Sequence, residues 1–237
     1  MNNHPHDAYD ANGPGGVRPD RRRRSPVRVV IVDDHLLVAD SIAAALDAQD
    51  DLTVVEVATT CAEGLAAVGR HNPDVLLLDQ RLPDGLGTDV LPSLLDRCPS
   101  MKVLLVTASD SDDVLTRAIE AGAAGFIPKG ERAANLVRAV RAAADDEAVI
   151  TMETMRRVMG RMGRRGQRTG DDLTAREREV LQLLVDGKST AGLADSLVVS
   201  QATARNHVQS IMRKLGAHSR LEAVAIATRQ NILADVR

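Results

Sequence analysis

A chain of 237 residues that is 44% hydrophobic and 27% charged has room for one or two packed domains and is too apolar for a disordered class. Its two cysteines, Cys61 and Cys98, exclude a disulfide framework, and no apolar run reaches the roughly 18 residues of a membrane span; the chain reads as soluble, cytoplasmic and without a membrane partner. The net charge of −3 averages an acidic stretch, residues 27–147 with 10 Lys/Arg against 21 Asp/Glu, and a basic one, residues 148–170 with 6 Arg against one Glu, and so predicts two functions on one chain.

Residues 1–26 are rich in Asn, His, Pro, Gly and Asp and end in Arg21-Arg22-Arg23-Arg24-Ser25-Pro26. They predict a disordered basic tail, solvated or in non-specific contact with DNA phosphates. From residue 27 apolar runs alternate with helical patterns. Strands are expected at Val27–Val32, Leu52–Ala58, Val75–Asp79, Met101–Thr107 and Gly125–Ile127. Helices are expected at Leu36–Ala48, Cys61–His71, Asp89–Arg97, Asp112–Ala121 and Glu131–Ala144. Strands without apolar/polar alternation, separated by helices, mean a parallel sheet covered on both faces. Right-handed crossovers make it a doubly wound α/β domain over 27–147, which binds ligands at the carboxyl ends of its strands. With Tyr9 and Phe126 the only aromatics and no Trp, the cores must be aliphatic.

Residues 148–170 read as a basic Gly/Arg-rich linker. Met152, Met155, Val158 or Met159, and Met162 recur at helical spacing, and the glycines at 160, 163, 166 and 170 predict flexibility after about residue 160. From 171 to 237 the pattern is helical throughout. Thr174-Ala175-Arg176-Glu177 and Ser219-Arg220-Leu221-Glu222 are capping boxes, and Ser200 caps a helix that runs to Leu215. Four short helices with a tight turn between the second and third predict a helix-turn-helix domain.

Charged and polar residues stand at the tips of the first-half strands: Asp33 and Asp34 after the first, Asp79 ending the third, Thr107 ending the fourth, Lys129 after the fifth. One Asp after a strand is commonly a turn or a helix cap. Three carboxylates converging on one rim are different, because they repel unless a cation joins them. Carboxylate oxygens suit Mg²⁺, which prefers one or two carboxylates plus a phosphoryl group, so the chemistry indicated is phosphoryl transfer to a carboxylate.

VDDH at 32–35, LLLDQRLPDG at 76–85, TAS at 107–109 and GFIPKG at 125–130 together resemble the receiver domain of two-component response regulators, over roughly residues 27–145. The resemblance implies a flavodoxin-like strand order. It implies Asp79 as phosphoacceptor, Asp33, Asp34, Asp79 and the Arg81 backbone carbonyl as Mg²⁺ ligands, and Thr107 and Lys129 as the pair that senses the phosphoryl group. Phe126 falls where that family has its aromatic switch, with an ordinary core aromatic as the plain alternative. His35 is read as a surface histidine at a helix start, and the cysteines are given no role.

Residues 173–227 resemble the LuxR/NarL-type helix-turn-helix, from LTAREREVL through NHVQSIMRKLGAHSRLEAV. In the helix after Ser200, Ala204, Val208, Ile211 and Leu215 share a core face. Arg205, Gln209 and Arg213 fall opposite with Asn206 beside them, and Arg, Asn and Gln are the side chains that pair with base edges in the major groove. Thr203 in the first turn suits a phosphate. The resemblance implies Arg205, Asn206 and Gln209 toward the DNA and Lys188 and Lys214 on phosphates. Ala191-Gly192 departs from the usual Lys-Glu, which predicts a looser domain, and the near-neutral charge of 171–237 predicts DNA affinity that relies on dimerisation.

The whole reads as a transcription regulator, not a dedicated enzyme. It would be phosphorylated on Asp79 by a sensor histidine kinase and would bind double-stranded DNA as a homodimer on activation, with the last helix, Ser219–Arg229, as candidate dimer surface. The competing expectation is a DNA-binding regulator driven by a ligand or protein partner without phosphate. A phosphatase-like enzyme on the same fold is disfavoured by the attached helix-turn-helix.

Overall fold

The computed structural model of the chain describes residues 25–108, 111–161 and 172–233. The tail to Arg24, Ser109 and the linker after Arg161 lie outside them.

The sheet forms from β1 (Val27–Val32), β2 (Leu52–Ala58), β3 (Val75–Asp79), β6 (Lys102–Thr107) and β7 (Gly125–Pro128), all parallel in the order β2-β1-β3-β6-β7. Successive side chains of a strand point to opposite faces, and here both faces are covered. Val30, Val32, Leu76, Leu78 and Leu105 pack against Val68 of α2 (Cys61–His71) and Leu91, Leu94 and Leu95 of α3 (Gly87–Arg97). Val29, Ile31, Leu77 and Leu104 pack against Leu46 of α1 (Leu36–Asp47) and Leu136, Val137 and Val140 of α5 (Ala133–Ala144). That is why these strands carry no polar alternation. The packed aliphatic sheet holds the strand tips rigid, and β3 brings Asp79 to its end with all five residues buried.

Two local features differ from the sequence expectation. The turn after Asp79 forms a small antiparallel hairpin, β4 (Arg81–Leu82) with β5 (Gly85–Leu86). Its Asp84 carboxylate accepts from Cys61 N at 2.7 Å and Ala62 N at 3.0 Å, so the turn caps α2. The helix that follows begins at Gly87, two residues before Asp89. A Cβ at Gly87 would lie 2.3 Å from the Asp79 carbonyl oxygen, so only glycine lets the helix start this close to the phosphoacceptor candidate.

The second half contains α7 (Ala175–Val185), α8 (Thr190–Leu197), α9 (Gln201–Leu215) and α10 (Arg220–Arg229) around Val180, Leu181, Leu184, Leu193, Val208 and Ile211. Thr174 and Glu177 form the expected reciprocal cap of α7. At α10 only half of the expected box forms: Ser219 accepts from Glu222 N, while Glu222 Oε2 accepts from His218 N at 2.7 Å. The Ser219 hydroxyl donates instead to the Ala123 carbonyl of the first half at 2.8 Å.

That bond belongs to a docking surface between the halves. The helical part of the linker is α6 (Met152–Arg161), and its Val158 is fully buried. It joins Leu115 and Ile119 of α4 (Asp112–Glu120) and Leu221 and Ala225 of α10 in one buried cluster, flanked by Phe126 and Ile150. Arg157 Nε lies 2.5 Å from Asp112 Oδ1, and Arg229 Nη1 3.3 Å from Glu120 Oε1. Gly122, at φ 98, lets the chain pass beside His218, whose Cβ would be 3.0 Å from any added Cβ. On the helix expected to serve dimerisation, Leu221 and Ala225 are therefore covered within the monomer, Val224 lies in the core of its own half, and Thr228 stays exposed. Among the described residues no helix is long and apolar enough to cross a membrane.

Candidate functional site

The strand tips bring the predicted acidic residues together. Asp33 and Asp79 are 2% and 3% exposed, whereas Asp34 stands at the open edge of the same rim. Ligand atoms of Asp33, Asp34, His35 and Asp79 all lie within 4.8 Å of one another. Lys129 reaches in from the end of β7, with Nζ 2.6 Å from Asp79 Oδ2 and 3.0 Å from Asp33 Oδ2. Its backbone N–H donates to the Thr107 carbonyl at 2.8 Å, which ties the lysine to the tip of β6. Asp79 Oδ1 accepts from the Arg81 N–H at 3.3 Å.

Burial sets the electrostatics. It pushes the Asp79 carboxyl above the usual carboxylate range, against the opposing pull of Lys129 and the Arg81 N–H. Burial also pulls Lys129 down, but its bonds to Asp79 and Asp33 outweigh this and hold the ammonium above its ordinary value. Asp33 Oδ2 accepts no hydrogen bond within the described residues even though the ammonium is near. A buried carboxylate oxygen with spare capacity beside two further carboxylates suits a hard divalent cation. Asp79, Arg81, Thr107 and Lys129 line an open cavity of about 620 Å³, large enough to admit a phosphoryl donor.

His35 is the exposed residue at a helix start that the sequence predicts, but it also adjoins the carboxylates, and Gln80 was not anticipated at all. The His35 Nδ1 turns inward, 2.8 Å from Asp34 Oδ1 and 3.2 Å from Asp33 Oδ1, although the side chain is 62% exposed. Gln80 is buried on the cavity wall; its amide donates to Thr88 Oγ1 at 3.2 Å, and its Oε1 accepts nothing from the described residues. Spacing gives no signal for Gln80. Phe126 is half-buried between the sheet core and the docking cluster, so it touches both the receiver interior and the face that holds α10.

The DNA-reading candidates form a looser set. On α9, Asn206 and Gln209 are exposed and Thr203 and Arg205 half-buried. Thr203 Oγ1 is engaged with Ser200 Oγ at 2.9 Å. Lys188 is exposed before α8. Lys214 is bound inside the domain, 2.7 Å from Glu177 Oε2 and 3.0 Å from the Asp172 carbonyl. Arg205 Nη2 faces the first half, 3.9 Å from Asp145 Oδ1.

Comparison with known proteins identifies both halves. Residues 29–141 match the model of the response regulator receiver domain, and residues 171–227 that of bacterial regulatory proteins of the luxR family. The chain is 34% identical over 206 residues to the DNA-binding transcriptional activator DevR/DosR of Mycobacterium tuberculosis, covering 85% of this chain and 94% of that one. It is 35% identical over 207 residues to the probable transcriptional regulatory protein NarL of the same organism, covering 87% and 96%. Among solved structures, that of two RcsB dimers bound to two parallel DNAs matches in fold at a TM-score of 0.52 and 22% identity, over 90% of this chain and all of that one.

Proposed function

Because the chain belongs to the response regulators that carry a LuxR-type DNA-binding domain, we propose that this transcription regulator is switched by a phosphoryl group on Asp79. The observation that carries the proposal is the Lys129 ammonium held between two buried carboxylates, 2.6 Å from Asp79 and 3.0 Å from Asp33, at the mouth of an open cavity. A receiver over 27–147 would take the group from the phosphohistidine of a sensor kinase in the cytoplasm. An Asp79 carboxylate oxygen forms the bond to phosphorus as the P–N bond breaks, and the departing imidazole regains its proton from solvent. Asp33, Asp34, Asp79 and the Arg81 carbonyl would hold Mg²⁺, which supplies neutralisation of the charge on the transferred group. Lys129 exchanges its Asp79 oxygen for a phosphoryl oxygen, and the Thr107 hydroxyl donates to another.

The switch would act through the docking surface. Thr107 ends β6, which leads into α4; Phe126 lies on β7, which follows α4 and packs against the same cluster; and α4 covers α10. Drawing Thr107 and Lys129 onto the phosphoryl group reshapes that face, releases the DNA-binding domain (171–237) on its linker (148–170) and frees α10 for a second copy. The basic tail (1–26) adds sequence-independent affinity for DNA phosphates. The complete acidic set with Lys129 favours this reading over a receiver driven by a ligand or partner alone.

The test is intact mass after incubation with Mg²⁺ and a small-molecule phosphodonor. One phosphoryl adduct is expected on the wild type, and none on Asp79→Ala or when Mg²⁺ is chelated. An adduct that persists on folded Asp79→Ala contradicts the assignment.

A further inference from the structure

One charged feature of the docked halves is not used by the chemistry at Asp79. After α5 the receiver turns through Asp145-Asp146-Glu147, with Asp146 at φ 63. Lys102 Nζ holds the Asp146 carboxylate at 2.5 Å, so the turn is anchored from its own side. Its two neighbours reach the DNA-binding half. Glu147 Oε1 accepts from the backbone N–H of Thr190, the first residue of α8, at 3.3 Å. Asp145 Oδ1 lies 3.9 Å from Arg205 Nη2 on α9. Between these contacts is Arg220, only 7% exposed, whose guanidinium donates to Thr190 Oγ1 at 3.4 Å and to the Lys188 carbonyl, and which feels the charges of Glu147 and Asp146.

A first-turn N–H at a helix N-terminus, backed by arginines, is an anion seat. In a helix-turn-helix that reads the major groove, such seats take backbone phosphates and fix the domain's register on the duplex. The Ser189 hydroxyl caps Gly192 N at 3.1 Å, which leaves Thr190 N–H for an acceptor from outside the domain. That acceptor here is a carboxylate, the same sign of charge and the same oxygen chemistry as a phosphate.

We infer that Asp145 and Glu147 are an internal substitute for DNA backbone phosphates: they occupy seats at Thr190 N–H and Arg205 that DNA takes when the halves separate. This rests on the masking reading above and adds to it. Masking alone needs only the apolar contact of α4 and α10, whereas substitution makes the turn and the DNA direct competitors for the same donors.

The experiment uses the full chain, unphosphorylated, with a short DNA duplex of arbitrary sequence, since phosphate contacts do not depend on sequence. Affinity is measured over a series of salt concentrations for wild type, for Asp145→Asn/Glu147→Gln, and for Asp50→Asn/Asp96→Asn, an equal charge change at exposed sites elsewhere on the receiver. Wild type phosphorylated on Asp79 is measured alongside, and phosphoryl uptake by mass verifies that each receiver is folded. The turn variant should bind about tenfold tighter than wild type at low salt, with the gain shrinking as salt rises, and the control pair should gain less than about twofold. After phosphorylation the turn variant and the wild type should bind alike, because the seats are then already free. Equal gains for both variant pairs, or none for the turn variant, overturn the substitution. If phosphorylation still tightens wild-type binding in that case, the masking reading stands and only the substitution fails. If phosphorylation has no effect either, both fail.

Discussion

The acidic rim and the DNA-reading face are built on opposite plans. At the rim the central groups are buried and engaged: Asp33 and Asp79 are under 5% exposed and Lys129 is clamped between them, with Asp34 at the open edge. On α9 the base-reading candidates Asn206 and Gln209 stand exposed, while Arg205 and, at the start of α8, the amide of Thr190 are engaged by carboxylates of the other half. Phosphoryl transfer, the role proposed for the rim, needs donors and acceptors preorganised to a fraction of an ångström, and the packed strand tips supply that order. DNA recognition needs a surface that is free, so it can be regulated by what covers it. On the proposed reading the rim governs the chemistry, and the docking surface governs access.

Substitutions should separate the two plans. The largest effect is expected at the docking cluster. Leu115 is 2% exposed and packs there with Leu221 and Val158, away from the sheet core. Leu115→Ala should weaken docking by about 2–5 kcal/mol, which appears as DNA binding raised tenfold or more without phosphate while Asp79 still accepts the group. A loss of phosphoryl uptake instead would mean that α4 serves the rim rather than the dock. Next comes Gly87→Ala, where the new methyl meets the Asp79 carbonyl oxygen at 2.3 Å. A cost of about 1–3 kcal/mol and slowed phosphoryl uptake are expected, with unphosphorylated DNA binding unchanged. Thermal unfolding and intact mass over time read both quantities.

A smaller, pH-dependent effect belongs to the helical half alone. Glu177 is buried, which raises its pKa, but Lys214, the Thr174 N–H and Ser210 outweigh burial and bring it to about 2 from 4.5. A carboxyl depressed in the folded state stabilises above its unfolded pKa and loses that contribution as pH falls through the folded one. The stability of this half should therefore be flat above about pH 5 and decline from 4.5 toward 2. Glu177→Gln should be less stable at neutral pH and remove most of that slope in acid unfolding. The smallest effect is at Gly192, where an added Cβ meets nothing closer than 3.6 Å. Gly192→Ala should stabilise the DNA-binding half by about 0.5–1 kcal/mol in denaturant unfolding. A destabilised variant would mean that the glycine is needed for a contact absent from the monomer.

The sheet was legible because both its faces are covered, which gives apolar runs of strand length, and the rim because Asp33, Asp34, Asp79, Thr107 and Lys129 all fall at strand tips. The β4–β5 hairpin was not, since two-residue strands have no period to read. The start of α3 was misjudged because glycine usually ends a pattern, whereas here close approach to the Asp79 carbonyl demands it. His35 is the exposed helix-start residue that was expected, and only tertiary structure shows its Nδ1 beside the Asp33 and Asp34 carboxylates. The docking of α10 was hidden for a more general reason. An apolar stripe on a helix announces that something covers it, not whether the cover is a second copy or the chain's own receiver. Leu221 and Ala225 fit both descriptions, and only tertiary structure shows the receiver upon them.

The central claim is that a phosphoryl group on Asp79 uncovers the DNA-binding half. Its most direct measurement is DNA affinity on one preparation before and after phosphorylation, with adduct occupancy read by mass in the same samples and Asp79→Ala carried through. The account predicts at least about tenfold tighter binding that tracks occupancy in the wild type, which corresponds to about 1.4 kcal/mol, and no change in Asp79→Ala. Full occupancy of Asp79 with unchanged affinity would contradict it.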